Sequence, residues 1–104
     1  MSNNHFREEN QIKTIQHYLE REFPGQVRDT QWDRQSDTQV FEIVHDTTVH
    51  RVDMPAAFFE NCPDYAAALR ESELADYMRE ARDQTRRFSV VWEDGSARVR
   101  STPL

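Results

Sequence analysis

The stretch from Phe88 to Arg100 constrains this chain more than any other. Phe88, Val90 and Trp92 alternate with Ser89, Val91 and Glu93; Asp94-Gly95 follows, and Ala97 and Val99 resume the alternation with Arg98 and Arg100 between them. Successive strand side chains point to opposite faces, so this pattern describes a strand with one apolar side. Asp-Gly between two such runs is the sequence form of a tight turn whose central residues need positive φ. A hairpin over residues 88–101 is predicted. A lone hairpin is marginal in water, so its apolar side has to lie against the rest of the chain.

A second hairpin is predicted over residues 38–54, turning at Asp46-Thr47. A two-residue loop there sets Val44 opposite Val49, Ile43 opposite His50, Glu42 opposite Arg51 and Phe41 opposite Val52. One face then carries Phe41, Ile43, Val52 and Met54, with His45 and His50 near the turn. The other carries Val40, Glu42, Val44, Val49, Arg51 and Asp53, and a Glu42–Arg51 ion pair across the ladder favours this register. Before it, residues 26–34 read as a weaker strand. Val27 and Trp32 fall at opposite parities, which predicts a bulge, and Ser36-Asp37 supplies a turn.

Three helical regions complete the pattern. Ile12, Ile15, Leu19 and Phe23 recur at helical spacing, joined by Tyr18 and Phe6, and predict a helix over 4–23 that Asn3 or Asn4 caps, with Glu8 and Glu9 in its early turns; Pro24-Gly25 ends it. Pro55 suits the first turn of a short helix over 55–61, with Asp53 placed to cap it. After Pro63-Asp64 a longer helical stretch is predicted to about Arg87. Its stripe loses phase between Leu69 and Leu74, where Ser72 is placed to cap a fresh helix, so a bend or two helices are expected.

The fold class that follows is α+β, in the order α-β-β-β-α(α)-β-β. It is a mainly antiparallel five-stranded sheet with helices packed on one face, built as a single domain over residues 1–104. Only 37% of the 104 residues are hydrophobic, a lean core for this length, yet six Phe, three Tyr and two Trp argue for a folded chain. A lean core is often completed by a second subunit, so a homodimer is expected. A single cysteine, no leader-like N-terminus and no apolar run near the ~20 residues of a membrane span predict a cytoplasmic protein. The Arg-for-Lys bias, with Lys13 the only lysine, reads as a feature of the host's codon usage.

Several chemistries are excluded by what the residues lack. Gly25 and Gly95 stand far apart, so there is no glycine cluster to cradle a phosphate or dinucleotide. One cysteine rules out a Cys-pair zinc or dithiol motif. His45, Asp46 and His50 are the residues best placed to form a metal-dependent centre, two imidazoles on one face and a carboxylate in the turn, but the plainer reading makes them polar residues at the frayed end of a core face. Cys62, before Pro63-Asp64, has the position of a nucleophile near a helix start and the plainer character of a small buried hydrophobe. No catalytic residue, resident metal or cofactor is assigned.

Charge is unevenly spread. Residues 1–78 hold seven basic and 15 acidic groups, net −8; residues 79–104 hold six Arg against Glu80, Asp83, Glu93 and Asp94, net +2. Arg79, Arg82 and Arg86 are spaced for one helix face, and Arg98 and Arg100 share the outer side of the last strand. A nucleic-acid regulator working through this patch is one reading. The overall charge of −6 opposes it, because phosphate contacts dominate such affinity, and internal salt-bridging by Asp76 and Asp83 accounts for the arginines more simply.

The leading expectation is a non-enzymatic binding or adaptor protein, a homodimer that also takes an unidentified protein partner. Val40, Val44 and Val49 on an otherwise polar face, with Arg98 and Arg100, are its expected contact residues. The element order, small size and low pI resemble the acidic dimeric chaperones of bacterial secretion systems. That resemblance implies a bacterial dimer holding an extended segment in an apolar groove or along a sheet edge.

Overall fold

The computed structural model describes residues 2–104, with side chains from Asn10 onward. Helix α1 (Ser2–Glu22) leads into strands β1 (Val27–Asp33), β2 (Thr38–His45) and β3 (Thr48–Pro55). Helices α2 (Ala56–Asn61), α3 (Tyr65–Ser72) and α4 (Leu74–Glu80) then cross to β4 (Arg86–Glu93) and β5 (Ser96–Pro103). The expected contributions of Asn3, Asn4, Phe6, Glu8 and Glu9 side chains to α1 lie outside the described residues.

The five strands pair in chain order, β1-β2-β3-β4-β5. Three pairings are antiparallel and one, β3 with β4, is parallel. An antiparallel neighbour is reached by a tight turn, whereas a parallel one needs a crossover, and α2–α4 form it. The two hairpins are therefore neighbours in one sheet.

Both hairpins take the registers their alternation predicts. Across β2–β3, Val44 pairs with Val49, Ile43 with His50, Glu42 with Arg51 and Phe41 with Val52. Across β4–β5, Val90 pairs with Val99 and Trp92 with Ala97, around a turn where Asp94 and Gly95 have φ of 52° and 78°. Glycine takes that left-handed conformation without the steric cost a Cβ would bring. The predicted bulge in β1 is present as a register shift between Val27 and Asp29.

All helices lie on one face. Ile15 and Leu19 of α1, Phe58 of α2, Leu69 of α3, and Leu74 and Met78 of α4 share a single buried cluster with Phe41, Ile43, Val52, Met54, Phe88 and Val90 of the sheet. Burying each large apolar side chain contributes roughly 1.5–3 kcal/mol, so this side of the sheet carries most of the stability. Aromatic rings knit its far end, with Phe58 edge-on to Trp92 at 6.3 Å and Phe59 5.8 Å from Tyr65.

The helix boundaries differ from expectation at Pro55, at Asp53 and at the end of the last helix, while the break between Leu69 and Leu74 falls where expected. Pro55 closes β3 and stands just outside α2, because its neighbour Ala56 donates its backbone N–H to Asp37 O at 2.9 Å. Asp53 is not a cap; it lies inside β3 with its carboxylate held by arginines. The predicted break after Leu69 falls at Glu73, whose φ of 60° separates α3 from α4. The N-cap position of α4 is taken by Glu73 rather than by the expected Ser72, whose Oγ bridges the break instead, accepting from Leu74 N at 3.3 Å and donating to Leu69 O at 2.7 Å.

The last helix also stops at Glu80 rather than near Arg87. Here a tertiary contact overrides local propensity. The His50 Nε2–H donates to both Ala81 O and Gln84 O at 2.9 Å, and the Val49 N–H donates to Thr85 Oγ1 at 3.2 Å. These bonds tie residues 81–85 to the start of β3 and let Arg86 and Arg87 enter the sheet. Arg79, Arg82 and Arg86 consequently do not line one helix face.

Candidate functional site

With every helix on one side, the other side of the sheet is the molecule's open face. Register places Asp29, Gln31 and Asp33 of β1 there, beside Val40, Glu42 and Val44 of β2. Val49, Arg51 and Asp53 of β3 continue it. Arg87, Ser89, Val91 and Glu93 of β4, with Arg98 and Arg100 of β5, complete the surface. None of the valines on this face belongs to the buried cluster beneath the helices.

The centre of the face is braced by ions. Arg51 Nε donates to Asp53 Oδ1 at 2.9 Å, and Arg87 Nε lies 3.4 Å from Asp53 Oδ2. Asp53, with its side chain only 14% exposed, thus accepts from its own strand and attracts the neighbouring one across the parallel seam. The expected Glu42–Arg51 ion pair does not form although the register is as predicted, because Asp53, two residues along the same face, holds the guanidinium. Glu42 makes no ion pair among the described residues and is exposed.

The five expected contact residues separate on inspection. Val40 is 6% exposed and so is already covered. Gln31 and Arg51, long side chains on the flanking strands, line the same shallow hollow as Val40. Val44 and Val49 remain half-buried, joined by Val91, which stands equally on this face. Arg100 donates to Glu93 Oε1 at 2.6 Å, while Arg98 is exposed and makes no ion pair among the described residues. The face therefore offers Val44, Val49, Val91, Arg98 and Glu42 as uncommitted groups.

The histidines take a different part. His45 and His50 do share the core face, and their rings stand edge to face with centroids 5.0 Å apart. They belong to a column in which Phe23 meets His45 at 5.2 Å and Phe88 meets His50 at 5.1 Å. His50 is fully buried, and its two carbonyl acceptors fix the proton on Nε2. His45 is held below the ordinary imidazole pKa by burial first, then by His50 and by Arg82. Asp46 lies in the hairpin loop with φ of 55°. Among the described residues no three His, Cys, Asp or Glu side chains group as metal ligands.

Cys62 is 6% exposed, and burial pushes its thiol pKa up, the opposite of what a nucleophile needs. It closes α2 by donating its backbone N–H to Phe58 O at 2.9 Å. The arginines after residue 78 are largely occupied. Arg79 donates to Glu22 Oε1 at 2.6 Å, lies 3.3 Å from Asp76 Oδ1 and stacks 5.3 Å over the Phe23 ring. Of the carboxylates expected to neutralise it, Asp76 does so, and Glu22, distant in sequence, takes the place of Asp83. The hollow that Arg79 borders with Phe23, His45 and Arg82, about 320 Å³, brings together no other free charge than Arg82.

Fold and surface together define a five-stranded α+β domain with one face of its sheet left open. Compared with protein-family models, with curated proteins and with solved structures, the chain matches none. Among the described residues no helix is long and apolar enough to cross a membrane.

Proposed function

We propose that the protein is a non-enzymatic binding module that works as a homodimer, with the open face of the sheet as its contact surface. One observation carries this reading: Val44, Val49 and Val91 lie half-buried on a sheet face with no helix upon it, among charges held in place by the strands. β-branched valines on a strand have few rotamers to lose on binding, which lowers the cost of association. The Asp53 brace adds to that rigidity by fixing Arg51 and Arg87 in advance. Once paired, such a module keeps the outer edges of β1 and β5 available for main-chain contact with an extended segment of a partner, the adaptor half of the reading.

The test is self-association of the full chain, followed by light scattering from about 1 to about 100 µM, the range in which specific but modest interfaces assemble. A dimer mass within that range supports the reading. A monomer mass throughout removes it.

A further inference from the structure

The open face is not only polar; its charge is sorted by strand. On β1 and β2 it carries Asp29, Asp33 and Glu42, with Arg28 displaced into the bulge and Arg34 in the turn beyond. On β4 and β5 it carries Arg87, Arg98 and Arg100 against the single acid Glu93. The central strand β3 is internally balanced, Arg51 against Asp53. One half of the surface is thus acidic, the other basic, and the boundary runs along the strand direction.

We infer from this layout that the occupant of the open face is a second copy of the same chain, related by a two-fold axis running parallel to the strands. This inference rests on the binding-module reading above and specifies its surface and geometry. A two-fold axis in the interface plane and along the strands carries β1 over β5, β2 over β4 and β3 over β3. The acidic half of each copy then meets the basic half of the other, twice, as an isologous contact requires. An in-plane axis perpendicular to the strands instead sets β1 over β1 and β5 over β5, acid on acid and arginine on arginine, which like-charge repulsion opposes. Of the two simplest face-to-face pairings, only one is self-complementary.

Size and chemistry agree with it. Five strands at ~4.8 Å and about eight residues at ~3.3 Å give a face of roughly 24 by 26 Å. That is on the scale of the ~800 Å² each partner contributes to a standard interface. Aligned sheets pack with their inner side chains interdigitated, and Val44, Val49 and Val91 supply the apolar contacts between the charged halves. Glu42 and Arg98 have no ion partner among the described residues; across this two-fold Glu42 comes level with Arg87 of β4 and Arg98 level with Asp33 of β1, so each meets opposite charge.

Three charge-reversed forms of the full chain test the geometry. The first carries Asp29→Arg with Glu42→Arg, the second Arg98→Glu with Arg100→Glu, and the third carries all four substitutions. All four positions are exposed, and thermal melting of each form checks that it folds. Sedimentation equilibrium is expected to show the dimer of the unaltered chain weakened by added salt, and weakened about tenfold or more in each half-reversed form. The fully reversed form restores opposite charges across the two-fold and should return to within a few-fold of the original. A dimer that ignores the half reversals, or a fully reversed form that stays dissociated, overturns the inference while leaving a homodimer in place. A chain that is monomeric before any substitution fails earlier, and takes the binding-module reading with it. Association with a different protein, without self-association, likewise counts against a second copy as occupant.

Discussion

The two faces of this one sheet are built from the same strands by opposite means. Beneath the helices, Phe41, Ile43, Val52, Met54, Phe88 and Val90 are buried and hold the fold by apolar contact. On the open side, one residue along each strand, Arg51, Asp53 and Arg87 hold position through charge and hydrogen bonding. The first face is insensitive to salt and intolerant of lost volume. The second should be cheap to alter for stability, and under the proposed function it is the side a partner meets. The pleat itself concentrates stability on one side of the sheet and leaves the other open.

The largest expected break in that contrast comes from the buried side. Phe88→Ala should cost about 3–5 kcal/mol, as truncating a fully packed aromatic does, read from urea unfolding. Val44→Ala, on the open face, should stay below about 1 kcal/mol in the same measurement. Equal losses at the two positions would mean that the open face is packed after all.

His50 tests whether a polar group can belong to the buried side. His50→Leu removes the donor to Ala81 O and Gln84 O and leaves both carbonyls in search of partners, so a loss of about 1–3 kcal/mol is expected. Amide exchange should rise locally at residues 81–85, since that ring is what holds the connection against β3. No local change in exchange there would reassign His50 to simple packing.

Asp53→Asn tests the open side's brace. It removes the charge shared by Arg51 and Arg87, and because both guanidinium groups are partly solvated the loss should be only about 1 kcal/mol. The change should shrink in high salt, unlike that of Phe88→Ala.

The smallest effect expected is a pH dependence through His45. Its folded pKa is lowered from the ordinary 6.5, so the native state favours neutral imidazole. The unfolded chain then binds the proton more readily. The contribution is full above 6.5 and is lost as pH falls from there through the lower folded value. Melting temperatures measured between neutral and mildly acid pH should fall on acidification, and His45→Gln should flatten that slope.

Much of this contrast was legible in the residues. Strict alternation in 88–101 and 38–54 defines which side chains share a face, and two short turns fix register, so both hairpins follow from local rules. The bulge in β1 shows in the parity conflict between Val27 and Trp32. What escapes a linear reading depends on groups distant in sequence. The end of α4 is decided by the His50 ring reaching Ala81 and Gln84, more than thirty positions away, and nothing near Arg86 marks it. Asp53 looks like a cap beside Pro55 because Arg87 becomes its neighbour only when β4 docks. Val40 looks exposed because the alternation gives its face but not the long Gln31 and Arg51 side chains flanking it. The acidic 1–78 and basic 79–104 show in the sequence, but that they divide one sheet face becomes a pattern only once the hairpins are known to be adjacent.

The parallel join of β3 to β4 has a consequence for how the chain reaches this state. Each antiparallel ladder closes over a few residues, a microsecond event, whereas the join pairs only His50 with Arg86 through Asp53 with Ser89 and must wait for the whole helical crossover to be gathered in. Two preformed halves meeting at a short seam make its closure the natural kinetic bottleneck. In stopped-flow experiments, substitutions at Val52 or Phe88 should therefore slow refolding, whereas trimming the Asp94-Gly95 turn should mainly hasten unfolding.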